Sequence, residues 1–349
     1  MRYFDEQLVV NHPRHHGQWW ADLSNIRAAN VRAEEVLTGN AAAVIPRDAW
    51  LEMDTQTRAI MRSDEGAAYM DDLMPLAKPI NIGKLVAMSR TSSDISDGVV
   101  RSMGGQVPVP VDKTAYDYAG APVPIFAKGY GREWREEMTL RTEGFDALAD
   151  DDMATTMKVR KDMADYALNG DSTIVVEGYQ AYGIRTSPLS KAINLGTGAG
   201  GASIDLTATA TTSDAIEAFV NQVLGGMLDD NYIAAGVNLY VSPEISRNLD
   251  RPYSGSAGLK IGSIRDALLA NRRINKITTT FQLTGNEFFG FVPDSQYIRP
   301  LVGMAVSTTP KNRLNITDNF QFMVMGAMGL EIRGDGNGRS GVFYSVVVN

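Results

Sequence analysis

The chain has 349 residues, 44% hydrophobic and 21% charged, with a formal net charge of −8. That is long enough for two or three packed units, and too acidic for a general nucleic-acid binder, whose phosphate contacts need Lys and Arg. There is no cysteine, which removes disulfides, thiolate metal sites and thiol catalysis and fits a reducing cytosol. No basic-then-apolar leader opens the chain, and no apolar run approaches the ~18 residues of a membrane span, so we expect a soluble cytoplasmic product with no membrane partner.

Residues 1–80 read as an N-terminal arm with short helices. Trp19 to Leu37 is helical in pattern, with Trp20, Leu23, Ile26 and Val31 near one face and a stop at Gly39-Asn40. A second helix starts at Pro46-Arg-Asp-Ala-Trp50 and runs towards Met74, where Pro75 and Pro79 break it. Residues 81–141 change character. Leu85 to Ile95 reads as strand, Gly104-Gly105, Pro108 and Pro110 mark a tip, and a second extended run covers Val123 to Glu133. Two strands around such a tip predict a long extended hairpin with little core of its own, ordered by its neighbours.

Residues 145–169 predict one long charged helix, about 24 residues and ~36 Å. A narrow stripe of Phe145, Ala149, Met153, Met157, Ala164 and Leu168 lies on an otherwise polar rod. Asp150, Asp151 and Asp152 suit the positive end of the helix dipole, and Asn169-Gly170 predicts a left-handed stop. A short strand, Thr173 to Glu177, leads to a Gly-rich return through Gly178 and Gly183 to Pro188. Residues 196–212 are a low-complexity surface loop or irregular hairpin. Ser213 opens a helix to Asp230, Val237–Val241 is a buried strand, Ser242-Pro243 opens a helix to about Leu249, and Ser263–Ala270 is a short helix. Strands dominate from Lys276 onward, and Asn319–Arg333 and Gly341–Val348 flank Gly334-Asp-Gly-Asn-Gly338, a hairpin signal.

Each chemical motif has a plainer reading. His12, His15 and His16 are the only histidines, irregularly spaced around Pro13, and read as a polar arm rather than a zinc or nickel site. Gly196 to Gly201 lacks the Lys-Ser/Thr ending of a phosphate loop. Asp335-Gly-Asn-Gly338 lacks the alternating acids of a calcium loop and reads as a type I′ turn. Consecutive Asp150–Asp152 point in different directions on a helix and cannot converge on one atom. With no histidine outside the arm, a His-dependent triad is unsupported. We therefore expect no catalytic, cofactor or metal residues, and a structural or binding protein rather than an enzyme.

The order of parts resembles the tailed-phage major capsid proteins of the Hong Kong 97 fold, shared with encapsulin nanocompartments. Val44-Ile-Pro-Arg-Asp-Ala-Trp50-Leu-Glu-Met-Asp54 is similar to the helix before the extended loop in the encapsulin-related branch, and Tyr182-Gly183-Ile184, then Pro188, to the return after the spine helix. The resemblance implies an α+β chain with an arm and short helices (1–80), an extended loop and its base (81–141), a peripheral domain (142–212) with spine helix 145–169, an axial domain (213–315) and C-terminal strands returning to the peripheral domain (316–349). It implies a shell of hexamers and pentamers enclosing double-stranded DNA without sequence-specific binding, assembled in a bacterial cytoplasm with scaffolding, portal and decoration proteins. A chain without a long N-terminal scaffold region further implies a separate scaffold or none. Arg132, Glu133, Arg135 and Glu136 at the loop base are candidates for intersubunit salt bridges, with a solvated strand face as the other reading. Arg101, Lys113, Tyr116 and Tyr118 in the loop and Trp19 and Trp20 in the arm are further contact candidates. Some relatives crosslink a loop lysine to a neighbour's asparagine; Lys113 is the one lysine near the tip, where a solvated loop charge is the plainer role. Two alternatives stay open here: an encapsulin-type compartment and an α+β ligand-binding protein.

Overall fold

The computed structural model describes residues 21, 24–28, 66–95, 98–104, 111–142, 144, 146–198, 200–254 and 262–348. Residues 1–60 and 61–349 form two compact units. In the first, Ala21 and residues 24–28 are helical, as the Trp19–Leu37 pattern predicts. Trp19, Trp20, the three histidines and residues 46–65 lie outside the described residues.

The second unit begins with α1 (Ala67–Leu73), which passes into a tight 3-10 turn (Met74–Leu76) at Pro75, the expected break. Lys78–Pro79 is the two-residue strand β1. Strands β2 (Val86–Ser92) and β3 (Tyr116–Pro122) pair antiparallel, from Val86 opposite Pro122 to Ser92 opposite Tyr116. This corrects the expected partner of the first strand. The run from Val123 is instead β4 (Ile125–Arg132), which belongs to another sheet. Pro122 and Pro124 lack the amide protons that would carry one ladder into the next, so the chain changes sheets there.

Helix α2 (Trp134–Thr142) follows, and with it a second correction: Arg135 and Glu136 lie on a helix, not on a strand face. The long helix α3 (Ala147–Asn169) is capped by Asp146, whose side chain accepts from the Ala149 amide. Its buried face keeps Ala164 and Leu168 of the expected stripe and departs from it elsewhere, while Phe145 lies outside the described residues. Leu148, Thr155, Val159, Met163, Tyr166 and Ala167 are buried, whereas Met153 and Met157 are exposed. The 3.6-residue period runs through Thr155 and Val159, and the two methionines fall one step off it. Gly170 ends the helix at φ 68°, ψ −169°, outside the left-handed helical region that was expected but open to a residue without Cβ.

A hairpin of β5 (Gly170–Val176) and β6 (Tyr179–Tyr182) turns through Glu177 and Gly178, both at positive φ. The return after it bonds back to α3: the Ile184 amide donates to Ala167 O at 3.0 Å and Arg185 to Leu168 O at 2.9 Å. Then come β7 (Lys191–Asn194), α4 (Ser213–Phe219), a π-helical turn (Val220–Leu224) and α5 (Gly225–Asp230). The cap of α4 is Thr212, one residue before the expected start. Strand β8 (Val237–Val241) leads to α6 (Pro243–Leu249), capped by Ser242 with Pro243 at its first position, as expected. Helix α7 (Ile264–Leu269) carries a Ser263/Asp266 capping box. Strands β9 (Ile274–Thr279), β10 (Phe288–Phe291), β11 (Ile298–Pro310), β12 (Phe320–Ile332) and β13 (Val342–Val346) complete the unit.

Two larger sheets organise these elements. One has the order β1-β11-β12-β4 and the other β7-β13-β10-β8-β9. The expected C-terminal hairpin does not form: β12 pairs with β11 and β4, while β13 pairs with β10 and β7. The Gly334–Gly338 turn is thus a link between sheets. Likewise the 213–315 block divides, since β11 joins the first sheet and β8 to β10 the second.

All five residues of β8 are buried, because both faces of its sheet are covered. Leu239, Val241 and Phe288 face a core with Ile216, Leu224, Leu228 and Ile245 of the helices. Their neighbours Tyr240, Phe289 and Phe291 face the core of Tyr69, Val159 and Met163. Tyr240 stacks on Phe289 at 5.0 Å and on Phe291 at 5.4 Å, and Tyr69 meets Phe289 edge-on at 5.3 Å. Asp72 of α1 fixes this junction, taking the Tyr240 hydroxyl and pairing with Lys276.

Candidate assembly surfaces

The β2–β3 hairpin is a two-stranded ladder with no third strand, and it carries unburied apolar side chains along its length. Met88, Tyr116 and Tyr118 are more than half exposed; beyond them Val99 and Val111 are 81% and 96% exposed. The Arg90 guanidinium lies over the Tyr116 ring at 4.9 Å. The ladder is anchored at its base. Ala121 and Val123 pack with Leu301 and Ala327, and Gly120 sits so close to the Tyr179 ring that a Cβ there would lie 2.7 Å from it. Isolated hairpins are marginal in water, so the free end needs contacts beyond those it makes among the described residues. Arg101 and Lys113 are both exposed in this free part. The Lys113 amide donates to Asp112 Oδ1 at 2.8 Å, a local turn bond.

At the base, two of the four predicted charges, Arg132 and Glu136, pair within the chain. Arg132 grips Asp151 with two nitrogens, at 2.5 and 3.1 Å, and reaches Glu136 at 2.9 Å. The Asp151 bond outweighs the opposing effect of desolvation and, with the lesser Asp151 and Glu136 charges, holds the guanidinium pKa up. Asp152 accepts from the Tyr130 hydroxyl at 3.0 Å and from the Thr308 hydroxyl at 2.7 Å. The Tyr130 ring stacks on Phe322 at 5.2 Å, and burial, then the bond to Asp152 and the two aspartate charges, push its phenol up to about 12. The aspartates at the start of α3 therefore do more than complement the helix dipole: they tie the helix to β4 and β11. Glu133 and Arg135 are exposed and have no ion pair among the described residues.

One exposed feature escapes the sequence reading. The turn between β11 and β12 raises Leu314 and Ile316, 91% and 87% exposed. It is rigid. Asp318 accepts from the amides of Leu314 and Asn315 at 2.9 and 2.8 Å, and Arg313 donates to Ile316 O and Asp318 O at 2.5 and 2.9 Å. Arg313 also lies over the Phe320 ring at 4.0 Å. Its signal in the sequence is two aliphatic residues on either side of Asn315 in an otherwise polar stretch. Among the described residues no cluster of three or more His, Asp or Glu is placed to hold a metal, and no helix is long and apolar enough to cross a membrane. What the described residues offer is surface for contact.

No curated protein matches the sequence. Solved structures do match by shape. The capsid of Myoviridae phage XM1 aligns with TM-score 0.63 at 9% identity, covering 88% of this chain and 100% of that one. The capsid of a native GTA particle aligns at 0.58 and 10%, covering 89% and 100%. Mycobacterium phage Che8 aligns at 0.55 and 10%, covering 87% and 97%. The expected Hong Kong 97-type capsid fold is the fold of this chain. By sequence, matched over residues 40–345, the chain belongs to the family of unknown function DUF6260.

Proposed function

We propose that the chain is a major capsid protein that self-assembles into the icosahedral head of a tailed bacteriophage around double-stranded DNA. The observation that carries this reading is the β2–β3 hairpin, an arm of exposed apolar residues on a body with the fold of phage capsids. An arm of that kind stays in water only at a cost, and a heterologous contact repeated on every subunit removes the cost around closed symmetry axes. In this reading the hairpin lies across an adjacent subunit, with Arg101, Lys113, Tyr116 and Tyr118 in the contact. Glu133 and Arg135, exposed at the base, are the charges free for a neighbour, while Arg132 and Glu136 hold the base in shape. Trp19 and Trp20 of the arm clasp a further subunit. The role is structural, not enzymatic. The shell consists of hexamers and pentamers, built in the bacterial cytoplasm with scaffolding and portal proteins and receptive to decoration proteins. The acidic balance, −8 for the chain, limits adhesion to packaged DNA.

Electron microscopy of the protein expressed alone, with light scattering for mass, tests this. Closed shells, or rings of five and six subunits, are expected. A monomer or dimer that never assembles, even with a candidate scaffold, would return the chain to the ligand-binding alternative. Cargo enzyme in place of nucleic acid inside the particles would favour a compartment over a virus.

A further inference from the structure

We propose that the exposed Asn337–Gly338 pair is a site of spontaneous succinimide rearrangement, through which the folded chain acquires an isoaspartyl linkage as it ages. The sequence holds two Asn-Gly pairs, 169–170 and 337–338, and the structure treats them oppositely. Asn169 is half-buried, its carboxamide donates to Asp165 at 2.8 Å, and the Gly170 amide is bonded to Tyr166 O at the end of α3. Ring closure there would open a helix end. Asn337 is exposed, and its carboxamide has no hydrogen bond among the described residues. Gly338 sits at φ 73°, so the position after Asn337 is held by a glycine, the residue least able to shield its own nitrogen. One turn bond, from the Gly338 amide to Asp335 O at 2.9 Å, must open. The neighbouring Asp335–Gly336 pair is a poorer candidate. The Asp335 carboxylate already accepts from the amides of Asn337 and Arg339, at 3.0 and 2.8 Å, and an ionised carboxylate resists attack.

In the step, the Gly338 nitrogen attacks Asn337 Cγ. The new C–N bond closes a five-membered ring, the Cγ–Nδ2 bond breaks, and ammonia leaves with the amide proton. Water then opens the ring at either carbonyl, giving aspartate or, with the backbone rerouted through the side chain, isoaspartate. The consequence reaches beyond the turn. Gly336 abuts the end of β2 so closely that a Cβ there would lie 2.9 Å from Ser92 O. An extra backbone carbon and a second carboxylate beside Asp335 therefore loosen the seat of the hairpin.

The test is to hold purified, folded full-length protein at mildly alkaline pH. Peptide mass mapping and labelling by an isoaspartyl methyltransferase then read both sites. We expect conversion at Asn337 about tenfold or more faster than at Asn169, with the two rates converging in denaturant, where local protection is gone. Asn337→Gln should remove the signal, and hydrogen exchange at residues 86–92 should rise in aged wild type but not in that variant. Equal rates at the two asparagines in the folded protein, or an unchanged Asn337, overturns the proposal. Neither outcome bears on the capsid reading.

Discussion

Strand β8 and the β2–β3 hairpin spend apolar residues in opposite ways. Every residue of β8 is buried, and its sheet is covered on both faces. The hairpin has a comparable supply of Val, Met and Tyr and leaves much of it in water. Burial at roughly 25 cal/mol per Å² stabilises the body directly. In the hairpin the same chemistry stabilises nothing until another surface arrives. The apolar content of β8 is committed to folding, and that of the hairpin is, in the proposed reading, held for association.

The largest expected effect that sharpens this contrast is in the body. Phe289→Ala removes a ring that stacks on Tyr240 and meets Tyr69 edge-on and should destabilise the subunit by about 3–5 kcal/mol in chemical denaturation. A loss under 1 kcal/mol would break the comparison. Next, Asp152→Ala strips the Tyr130 and Thr308 hydroxyls of their shared acceptor and should cost about 1–3 kcal/mol, since hydrogen bonds to charged groups are the stronger ones. The same contact is readable by pH. The Tyr130 phenol is raised from 10.0 to about 12, so the folded state favours its protonated form. That contribution is full below about pH 10 and is lost as pH rises towards 12, and Tyr130→Phe should flatten the alkaline limb of the stability curve. The smallest effect on the subunit belongs to the hairpin. Val99→Asp with Val111→Asp should change subunit stability by no more than about 0.5 kcal/mol, as exposed substitutions do, yet abolish assembly in sedimentation. Intact particles from that double variant would remove the hairpin from the interface.

Local rules carried far in this sequence. The Ser242-Pro243 start of α6, the length of α3 and the glycine return after it follow from caps, φ limits and short-range hydrogen bonds, all written within a few residues. Pairing across distance was not written that way. Residues 86–92 and 125–132 both look extended, and which one meets residues 116–122 depends on a sheet completed by β12, about two hundred residues on. The Arg132–Asp151 grip joins elements whose approach no spacing rule describes. Of the four charged residues named at the loop base, Arg132 and Glu136 pair within the chain, and that internal pairing was invisible in the sequence. Leu314 and Ile316 were missed because exposure is a property of the fold, not of residue type.

The strand order β7-β13-β10-β8-β9 has a consequence for the timing of synthesis. Strand β7 reaches the sheet only through β13, which ends at Val346. Residues 191–194 therefore wait on the ribosome for a partner translated about one hundred and fifty residues later, and the slow, non-local closure falls after that partner emerges. A nascent chain arrested before residue 342 should leave this segment open to proteases. A subunit whose synthesis stops before residue 342 lacks β13, the strand that joins β7 to the rest of the sheet, and leaves that edge unfinished.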